Sequence, residues 1–598
     1  MQTHELSSAA DQRFVAAPTK PQRKRLLDRL TSTRGGLMLG LVALVLTLPA
    51  LGLGLMTDDR AFAEKFQRGD GPMVVYSITQ EEIALGKERG MYPWWTSPEL
   101  RLQFLRPLSA LSHELDYRVF SGAPWIMHLM NAVLYALIVL VAFQLYRTIL
   151  PQQPRVAALA SLMFAIDDGH ATTAGWIASR SMLLASLFGL SAVFLYIRAR
   201  RLATTGSPSL LHRAGATCLF ALALGAAESG LSTLAYLAAY SLAFEAGSLT
   251  KRITRFLPEL TVFALWAAVY VTGGYGARGL SLYRELSSPM SVLVGGLSDL
   301  PAWLFILLGP SLLDMAMLQA PTVARIAAAV LCVPLLLALC YALPRTRASL
   351  FFALGALFCL PPLFTTLPQD RLLTMASFGG FGILASLLSA IAQRVGAARW
   401  LRVTRGILVS LHLVLAPLLF IPALGQNRVI DQAALTLATA VPEDPPRRVV
   451  LVNAPVELLT LYAWQRRLNE PGSKLPETLA QLYAGGSQLT VRRLDERTLE
   501  LRPEHGWGSV PIERVFANLA DMPEAGTRMR RSGMEIGVEE ATSDGRPARV
   551  QFRFPTRLED SSLLFLAWRE TRPVPWQPPR IGEEQTLAPL SVRNLIQP

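Results

Sequence analysis

Apolar runs of about 20 residues recur along the chain between residues 37 and 424, with short polar segments between them. A helix of that length crosses a hydrocarbon core roughly 30 Å thick, and about 11 of the runs fit this length. Residues 291–313 are apolar too, but we interpret them as a helix that lies on the membrane surface or re-enters it. A span there would reverse the orientation of every later helix. The pattern therefore predicts an all-α polytopic membrane bundle of about 11 transmembrane helices.

The basic residues predict how this bundle is oriented. Seven Lys and Arg residues precede the first apolar run, in a basic segment at residues 1–35. Later basic clusters follow at alternate ends of the runs, for example around Arg200 and Arg399. By the positive-inside rule these ends face the cytoplasm. We therefore expect a multi-pass protein of the bacterial inner (plasma) membrane with a cytoplasmic N-terminus and a large first outer loop at residues 57–124.

The pattern changes after residue 424, where the apolar runs end. Short β-branched or alternating runs begin at Arg448, Gln488 and Ala548, with clusters of Pro and Gly between them. Such runs are typical of β-strands joined by turns. The sequence thus predicts a membrane domain at residues 36–424, followed by a soluble α/β or β-rich periplasmic domain at residues 425–598.

The composition fits a membrane protein, and the positions of the basic residues argue against a nucleic-acid-binding one. Hydrophobic residues make up 51% of the chain and charged residues 17%, whereas soluble proteins carry about 25% charged residues. The formal net charge of +13 would by itself be compatible with nucleic-acid binding. The basic residues, however, lie in short segments between apolar runs, as membrane orientation requires. We predict a membrane partner and no nucleic-acid partner.

Several ionisable residues lie at the ends of apolar segments or within them, where charges are costly and usually functional. They are Asp58, Asp59, Asp167, Asp168, His170, Arg180, Glu228, Asp370 and Arg371. The predicted orientation brings all of them to the outer side of the membrane. We therefore expect one pocket of acidic and basic side chains just beneath the outer headgroups.

The acidic side chains suggest two kinds of chemistry. Asp58 or Asp59, at a membrane boundary, would be partly desolvated and suited to act as a general base. The alternative is a helix cap or an ordinary loop charge. Asp167, Asp168 and His170 would contact a phosphate or a metal ion, or would simply cap two helices at a hairpin tip. Two carboxylates and one histidine are too few ligands to specify a metal, so we assign no cofactor and leave a divalent metal ion open.

Other residues are suited to bind a lipid phosphate. Arg371 presents a planar guanidinium that suits a phosphate. The alternative is that Asp370 and Arg371 form a turn without a ligand. Glu228 is either a site residue or a glutamate paired with an arginine for packing. In the first loop, Trp94 and Trp95 precede apolar residues at helical spacing. A helix there would lie in the membrane interface.

That interfacial helix would turn three side chains towards a lipid phosphate. They are Arg101, Arg106 and His113. The alternative is a helix that only packs on the bundle.

The order of these motifs over residues 37–424 resembles the GT-C membrane glycosyltransferases. The motifs are the acidic pair after the first run, Phe104-Leu-Arg-Pro-Leu-Ser, the hairpin with His170 and Trp176-Ile-Ala-Ser-Arg180, Glu228, and Asp370-Arg371-Leu. The most similar branch contains the protein O-mannosyltransferases, the transmembrane O-mannosyltransferases with tetratricopeptide repeats, and bacterial dolichyl-phosphate-mannose-protein mannosyltransferase-like proteins.

The resemblance implies a GT-C-like fold and a GT-C-type inverting glycosyltransferase, of hexosyl- or mannosyltransferase type. Such an enzyme moves a sugar from a polyprenyl-phosphate-linked donor to an acceptor at the outer face of the membrane. An aspartate of the first outer loop acts as base in this family, and Asp58 and Asp59 match it. The arginines that hold the lipid phosphate match Arg106, Arg180 and Arg371. The acceptor stays open among protein, lipid and polysaccharide.

Two other functions remain as alternatives. One is a transporter or flippase that binds a polyprenyl or other lipid without chemistry. Transporters, however, usually have polar sites at the bilayer midplane and inverted repeats, whereas these charges gather at one surface and the sequence shows no repeat. The other is an inactive scaffold whose outer domain binds a partner in the cell envelope.

Overall fold

The computed structural model of the protein describes residues 26–311 and 313–595. The chain is mostly helical as far as Ala440 and rich in β-strands beyond it. Among the described residues, 6 helices are long and apolar enough to cross a membrane, or up to 7 if a bent pair forms one span. The prediction of a multi-pass helical membrane protein is confirmed, whereas the count of about 11 spans stays a prediction. The basic segment up to residue 25 lies outside the described residues.

The long apolar helices are Thr33–Gly52, Pro124–Ile149, Ile177–Thr204, Pro321–Ala342, Thr374–Gln393 and the helical run Arg399–Ala440. Shorter apolar helices are Pro154–Ile166, Leu210–Ala226, Leu257–Thr272 and Arg347–Leu363. Further helices of the bundle are Leu26–Leu30, Ala171–Gly175, Ser232–Phe244, Leu249–Thr254 and Asp314–Gln319.

The helix Thr374–Gln393 lies in the middle of the bundle, and 83% of its apolar stretch is buried. Glycines allow this close packing. A Cβ atom added at Gly379 would lie 2.5 Å from the carbonyl oxygen of Phe352, and one at Gly382 would meet the Phe352 ring at the same distance. Small residues at such crossings let helices approach within van der Waals contact. The central helix begins three residues after Arg371, so its packing also fixes where that arginine lies.

The apolar segment predicted to lie on the membrane or re-enter it forms two helices, Pro289–Ser298 and Leu300–Leu308, bent by 51°. Asp299 lies at the bend and is fully buried. Its carboxylate accepts hydrogen bonds from Arg284 and from Arg325, the latter at 2.6 Å. A bent pair of this kind is either a re-entrant segment or a broken span.

The helix ends that carry basic residues lie close together. Arg201 donates a hydrogen bond to the Thr148 carbonyl at 2.6 Å, which joins the ends of two long helices. Arg200 and Arg255 both bind the Glu245 carboxylate, at 2.6 and 2.8 Å. These contacts bring basic helix ends together, and the side of the membrane that they face stays a prediction.

The first loop folds differently from the expectation of an interfacial helix around the two tryptophans. Its helices are Asp58–Gln67, Gln80–Arg89 and Pro107–Phe120. Its strands, Ser77–Ile78 and Arg101–Gln103, form a three-stranded sheet with Gly276–Arg278.

Trp94 and Trp95 are buried rather than at headgroup level, with 6% and 0% of their surface exposed. Trp94 Nε1 donates to the Leu482 carbonyl at 3.0 Å. The prediction that the tryptophans lie at headgroup level was therefore wrong, whereas a helix does follow them, at Pro107–Phe120. The tryptophans instead belong to the apolar core of the C-terminal part, which packs on the first loop.

The C-terminal part contains two sheets. A six-stranded antiparallel sheet has the order Glu584–Leu587, Leu489–Arg493, Thr498–Pro503, Pro547–Arg553, Met534–Ala541 and Arg528–Arg531. A four-stranded sheet has the order Arg572–Pro575, Leu563–Arg569, Arg448–Leu451 and Thr478–Gln481, and Arg448–Leu451 pairs in parallel with both of its neighbours. All three predicted strands are confirmed.

Two helices join the C-terminal part to the bundle. The run that begins at Arg399 has a helix end at Leu424 and a short turn at residues 425–427, and it then continues to Ala440. Its last helix, Arg428–Ala440, buries Ala433, Ala434 and Leu437 in the core of the C-terminal part. The helix Leu459–Asn469, which we call the tail helix, packs against Asp58–Gln67, which we call the first-loop helix.

Candidate active site

The acidic pair opens the first-loop helix. Thr57 precedes it with φ of +44°, a conformation that is strained for a β-branched residue and often marks a functional site. Asp59 is 1% exposed, and both its oxygens are occupied. Oδ2 accepts from the Met56 backbone N–H at 3.0 Å and Oδ1 from that of Ala178 at 2.8 Å. Burial raises the pKa of Asp59 to about 8. Asp59 thus fastens the first loop to the hairpin before Arg180.

Asp58 has different surroundings from those of its neighbour. Its side chain is half-buried, and Oδ1 accepts a hydrogen bond from the Tyr462 hydroxyl at 2.8 Å. Burial raises the pKa of Asp58, while the Tyr462 hydrogen bond and the positive charge of Arg371 oppose that rise. Asp58 is therefore the more exposed member of the pair, and it lies within the influence of a positive charge.

Arg371 supplies that cation. Its Nε donates to Gln369 Oε1 at 2.7 Å, and its guanidinium carbon lies 5.1 Å from the centre of the Trp176 ring. Over residues 26–311 and 313–595, no carboxylate forms an ion pair with Arg371. A half-buried guanidinium held over an aromatic face keeps its charge and its planar fork of donors for an anion.

A cluster of carboxylates lies next to Arg371. Asp370 accepts from the Ser311 hydroxyl at 2.7 Å, and Asp168 accepts from the Ser311 backbone N–H at 3.2 Å. Asp314 accepts from the backbone N–H of Asp370 at 3.0 Å. Burial is the main cause that raises the pKa of all three, to about 6 for Asp168.

Asp167 is buried beside this cluster and also has a raised pKa, because of burial and of the nearby charges of Asp168 and Asp370. Among the described residues, no group of three or more His, Cys, Asp or Glu side chains is arranged to hold a metal ion. The structure therefore does not connect the cluster with a particular metal.

His170 is a buried ring with both nitrogens occupied. Nδ1 lies 3.0 Å from the Phe164 carbonyl and 3.2 Å from the Tyr135 hydroxyl, and Nε2 lies 2.7 Å from the Ser377 hydroxyl. Burial lowers the pKa of His170 to about 4, so the ring is neutral near pH 7. His170 ties the hairpin to the central helix and has no nitrogen free for a phosphate.

Arg106 and Glu228 form an ion pair in which two guanidinium nitrogens each lie 2.8 Å from Glu228 Oε2. The guanidinium carbon of Arg106 is 4.2 Å from the centre of the Phe104 ring. Glu228 Oε1 is buried without a hydrogen-bond partner among the described residues. Glu228 is thus paired with an arginine, as the alternative interpretation of the sequence had it, and this pairing balances much of the charge of Arg106.

Arg180 and His113 lie deeper. Arg180 is fully buried and pairs with Asp116, and it donates to Asn131 Oδ1 at 2.9 Å and to the Met127 carbonyl at 3.0 Å. His113 Nε2 shares a hydrogen bond of 3.1 Å with the Tyr76 hydroxyl, and burial lowers the pKa of His113 to about 4. Neither side chain faces a space that a lipid phosphate could enter.

The predicted residues thus form adjoining groups rather than one open pocket. Asp58 and Arg371 are both half-buried and lie close enough for their charges to interact, Asp59 and His170 hold loops together, and Arg180 and His113 lie in the protein interior. Sequence reasoning missed four side chains that complete these groups. They are Asp116, Ser311, Asp314 and Tyr462. Asp314 directly follows an apolar run and could have been found by the same argument, whereas nothing in the sequence points to Tyr462.

The apolar helices, the large first loop and the sheet-rich C-terminal part define the class as a multi-pass helical membrane protein. No protein-family model matches the chain. Human protein O-mannosyl-transferase TMTC3 is 28% identical over 110 residues, which is 18% of this chain and 12% of that protein. Drosophila melanogaster protein O-mannosyl-transferase Tmtc2 is 29% identical over 185 residues, 30% of this chain and 19% of that protein. The matches span less than a fifth of these relatives, and they confirm the resemblance that the motifs indicated.

Several solved structures also match the chain, at low identity. ArnT from Cupriavidus metallidurans, bound to undecaprenyl phosphate, is 14% identical, with 75% of this chain and 90% of that chain covered and a TM-score of 0.37. The Archaeoglobus fulgidus oligosaccharyltransferase is 11% identical, with 74% and 64% covered and a TM-score of 0.39. Arabinofuranosyltransferase AftD from Mycobacteria is 15% identical, with 87% and 40% covered and a TM-score of 0.33.

Proposed function

We propose that the chain transfers a sugar from a polyprenyl-phosphate-linked donor to an acceptor hydroxyl, with inversion at the anomeric carbon. One observation carries this proposal. Asp58 is a half-buried carboxylate, and it lies so near Arg371 that the positive charge of Arg371 acts to lower the pKa of Asp58. Arg371 itself has no carboxylate partner among the described residues. A base beside a free cation is what attack on a sugar phosphate requires.

The transfer is a single displacement at the anomeric carbon. The Asp58 carboxylate takes the proton of the acceptor hydroxyl, whose oxygen attacks the anomeric carbon. The bond between that carbon and the phosphate oxygen breaks, and the lipid phosphate leaves with the electron pair. Arg371 donates charge-assisted hydrogen bonds to the phosphate as its negative charge grows. Attack from the side opposite the phosphate inverts the configuration.

The other predicted residues support this site in different ways. Arg106 would add a second cation for the phosphate, weakened by its pairing with Glu228. Asp370 and its neighbours Asp167 and Asp168 would hold the loop that carries Arg371. We leave Asp59, His113, His170 and Arg180 out of the chemical step because their polar atoms are occupied or fully buried.

The orientation and the donor belong to the same proposal. The positive-inside rule puts the first loop and the C-terminal part at the outer face, which in a bacterial inner membrane is the periplasm. Both relatives are named protein O-mannosyl-transferases, which makes mannose the first sugar to test. The prenyl chain would lie between the apolar helices, with its phosphate at the membrane boundary.

A turnover assay tests the proposal. Purified protein in lipid nanodiscs is incubated with radiolabelled polyprenyl-phosphate sugars and with peptide, glycolipid or polysaccharide acceptors, and the release of free lipid phosphate is followed. We expect release with at least one donor and acceptor, and a product of inverted configuration by NMR. Binding of the lipids without any release would contradict the proposal and favour the transporter or the scaffold.

Arg371→Ala is expected to lower kcat/KM about a hundredfold, because the leaving phosphate loses its main cationic donor. Arg371→Lys should recover only part of the rate, since an ammonium lacks the planar fork. The exposed Arg118, on the helix Pro107–Phe120, provides a matched control: Arg118→Ala removes the same charge and should leave the rate unchanged. An unchanged rate for Arg371→Ala would exclude Arg371 from the reaction.

A further inference from the structure

The tail helix contacts the first-loop helix through one face. Tyr462, Arg466 and Asn469 are spaced four and three residues apart, so they lie on the same side of the tail helix. Tyr462 donates to Asp58 at 2.8 Å, and Asn469 donates to the Arg60 carbonyl at 3.3 Å. This face therefore meets the first-loop helix at the residue proposed as base.

The same contact is reinforced by a buried carboxylate between the two helices. Asp431, only 2% exposed, accepts hydrogen bonds from Arg466 of the tail helix and from Arg60 Nε of the first-loop helix, the latter at 2.9 Å. It also accepts from the backbone N–H of Thr57 at 3.4 Å. Two arginines and one carboxylate thus fix the backbone directly before Asp58.

The geometry around Asp58 distinguishes its two oxygens. Oδ1 accepts the Tyr462 hydroxyl proton, while Oδ2 forms no hydrogen bond with any other part of the chain that the structure describes. Tyr462 is 7% exposed, so its ring has little freedom to turn away. A carboxylate that is held by one oxygen and open at the other is oriented to take a proton from an incoming hydroxyl.

We propose that Tyr462 is the positioning residue of the reaction site, and that the C-terminal part therefore completes the site instead of only covering it. This inference rests on the proposed function of Asp58 as base. Tyr462 touches neither sugar nor phosphate in this proposal. It acts through Asp58, by fixing the direction of the carboxylate and by favouring its ionised form.

The effect of Tyr462 on the ionisation of Asp58 can be measured. A hydrogen bond to a carboxylate favours the charged form, so removing the Tyr462 hydroxyl should raise the pKa of Asp58. Because the base must be deprotonated, the acid limb of kcat/KM should move to higher pH. One charge-assisted hydrogen bond corresponds to about one pH unit. A merely structural tyrosine would lower the rate equally at every pH.

The experiment uses Tyr462→Phe in the full-length protein. We expect the acid limb to move up by about one pH unit, with most of the rate recovered at alkaline pH. A second readout does not depend on turnover. A hydrophobic carbodiimide reacts with protonated carboxyl groups, and mass spectrometry then follows the labelling of Asp58 against pH. Its midpoint should move by the same amount and in the same direction.

A matched control and an isosteric variant complete the test. Tyr483, another buried tyrosine of the C-terminal part, hydrogen-bonds Ser487 at 2.8 Å, and Tyr483→Phe should leave the labelling midpoint of Asp58 unchanged. If Tyr462→Phe does not fold, 3-fluorotyrosine placed at position 462 keeps the shape. Its more acidic phenol donates a stronger hydrogen bond, so the midpoint should move to lower pH.

The outcomes separate this inference from the proposed function. An unmoved labelling midpoint in the Tyr462 variants, together with an inactive Asp58→Asn, would overturn the positioning role alone. Turnover by Asp58→Asn at the parental rate would overturn the proposed base. The labelling midpoint of Asp58 in the parent protein and in Tyr462→Phe would still decide whether Tyr462 controls that carboxylate.

Discussion

Asp58→Asn is expected to abolish sugar transfer while the protein stays folded. Asparagine has the shape of aspartate, and its carbonyl oxygen can still accept the Tyr462 hydroxyl, so the contact between the helices persists. It cannot take a proton from the acceptor, and loss of a general base lowers the rate by about a thousandfold. The measurements are kcat/KM with the active donor and the melting temperature in detergent.

Two neighbouring aspartates provide the comparison. Asp70→Asn alters a first-loop carboxylate that pairs with Arg68, and it should leave transfer unchanged. In Asp59→Asn, the amide NH2 group faces one of the two backbone N–H groups that the carboxylate accepts from. Because two donors then face each other, the melting temperature should fall. Full activity of the double variant Asp58→Asn/Asp59→Asn would remove the acidic pair from the mechanism.

Arg180→Leu is expected to destabilise the protein by about 3 to 5 kcal/mol, because Asp116 would be left as a buried, unpaired charge. Cys332 and Cys359 are buried free cysteines that can report unfolding. Their reaction with a thiol dye during a denaturant titration gives the free energy of unfolding, in a background where the exposed Cys218 and Cys340 are replaced by serine.

Two further variants serve as controls in the same denaturant titration. Arg198→Leu removes an exposed arginine from the same helix and should change the free energy of unfolding little. The double variant Asp116→Asn/Arg180→Leu removes both charges, so it should be more stable than Arg180→Leu alone. Equal stability of Arg180→Leu and the parent protein would show that the pair does not hold the bundle together.

The elements that the sequence predicts well are those that a short stretch of chain decides. The apolar runs near Pro124–Ile149 and Thr374–Gln393 are helices because about 20 consecutive apolar residues leave few other structures in a membrane. The strands at Arg448–Leu451 and Pro547–Arg553 follow from β-branched or alternating residues between turns. Trp94 and Trp95 were misplaced because their partner surface lies in a distant part of the chain.

The candidate site could be predicted only in part. The cost of charges beside apolar runs pointed to Asp58, Asp59 and Arg371, which the structure does bring near one another. The same argument could not distinguish an accessible Asp58 from an Asp59 whose oxygens are both occupied. Whether a charged residue is paired depends on its neighbours in space, and the composition of its own segment does not contain that information.

The sequence by itself determined that this is a helical membrane protein with a β-rich C-terminal part and with charged residues at the ends of its apolar runs. These properties depend on hydrophobic transfer and backbone hydrogen bonding, which act within a segment. Only the tertiary structure decided which charges are neutralised, which are open to a substrate, and that Tyr462 reaches Asp58 from 404 residues away. Such contacts depend on the packing of whole helices, because each one needs both partners to be held in place by many others.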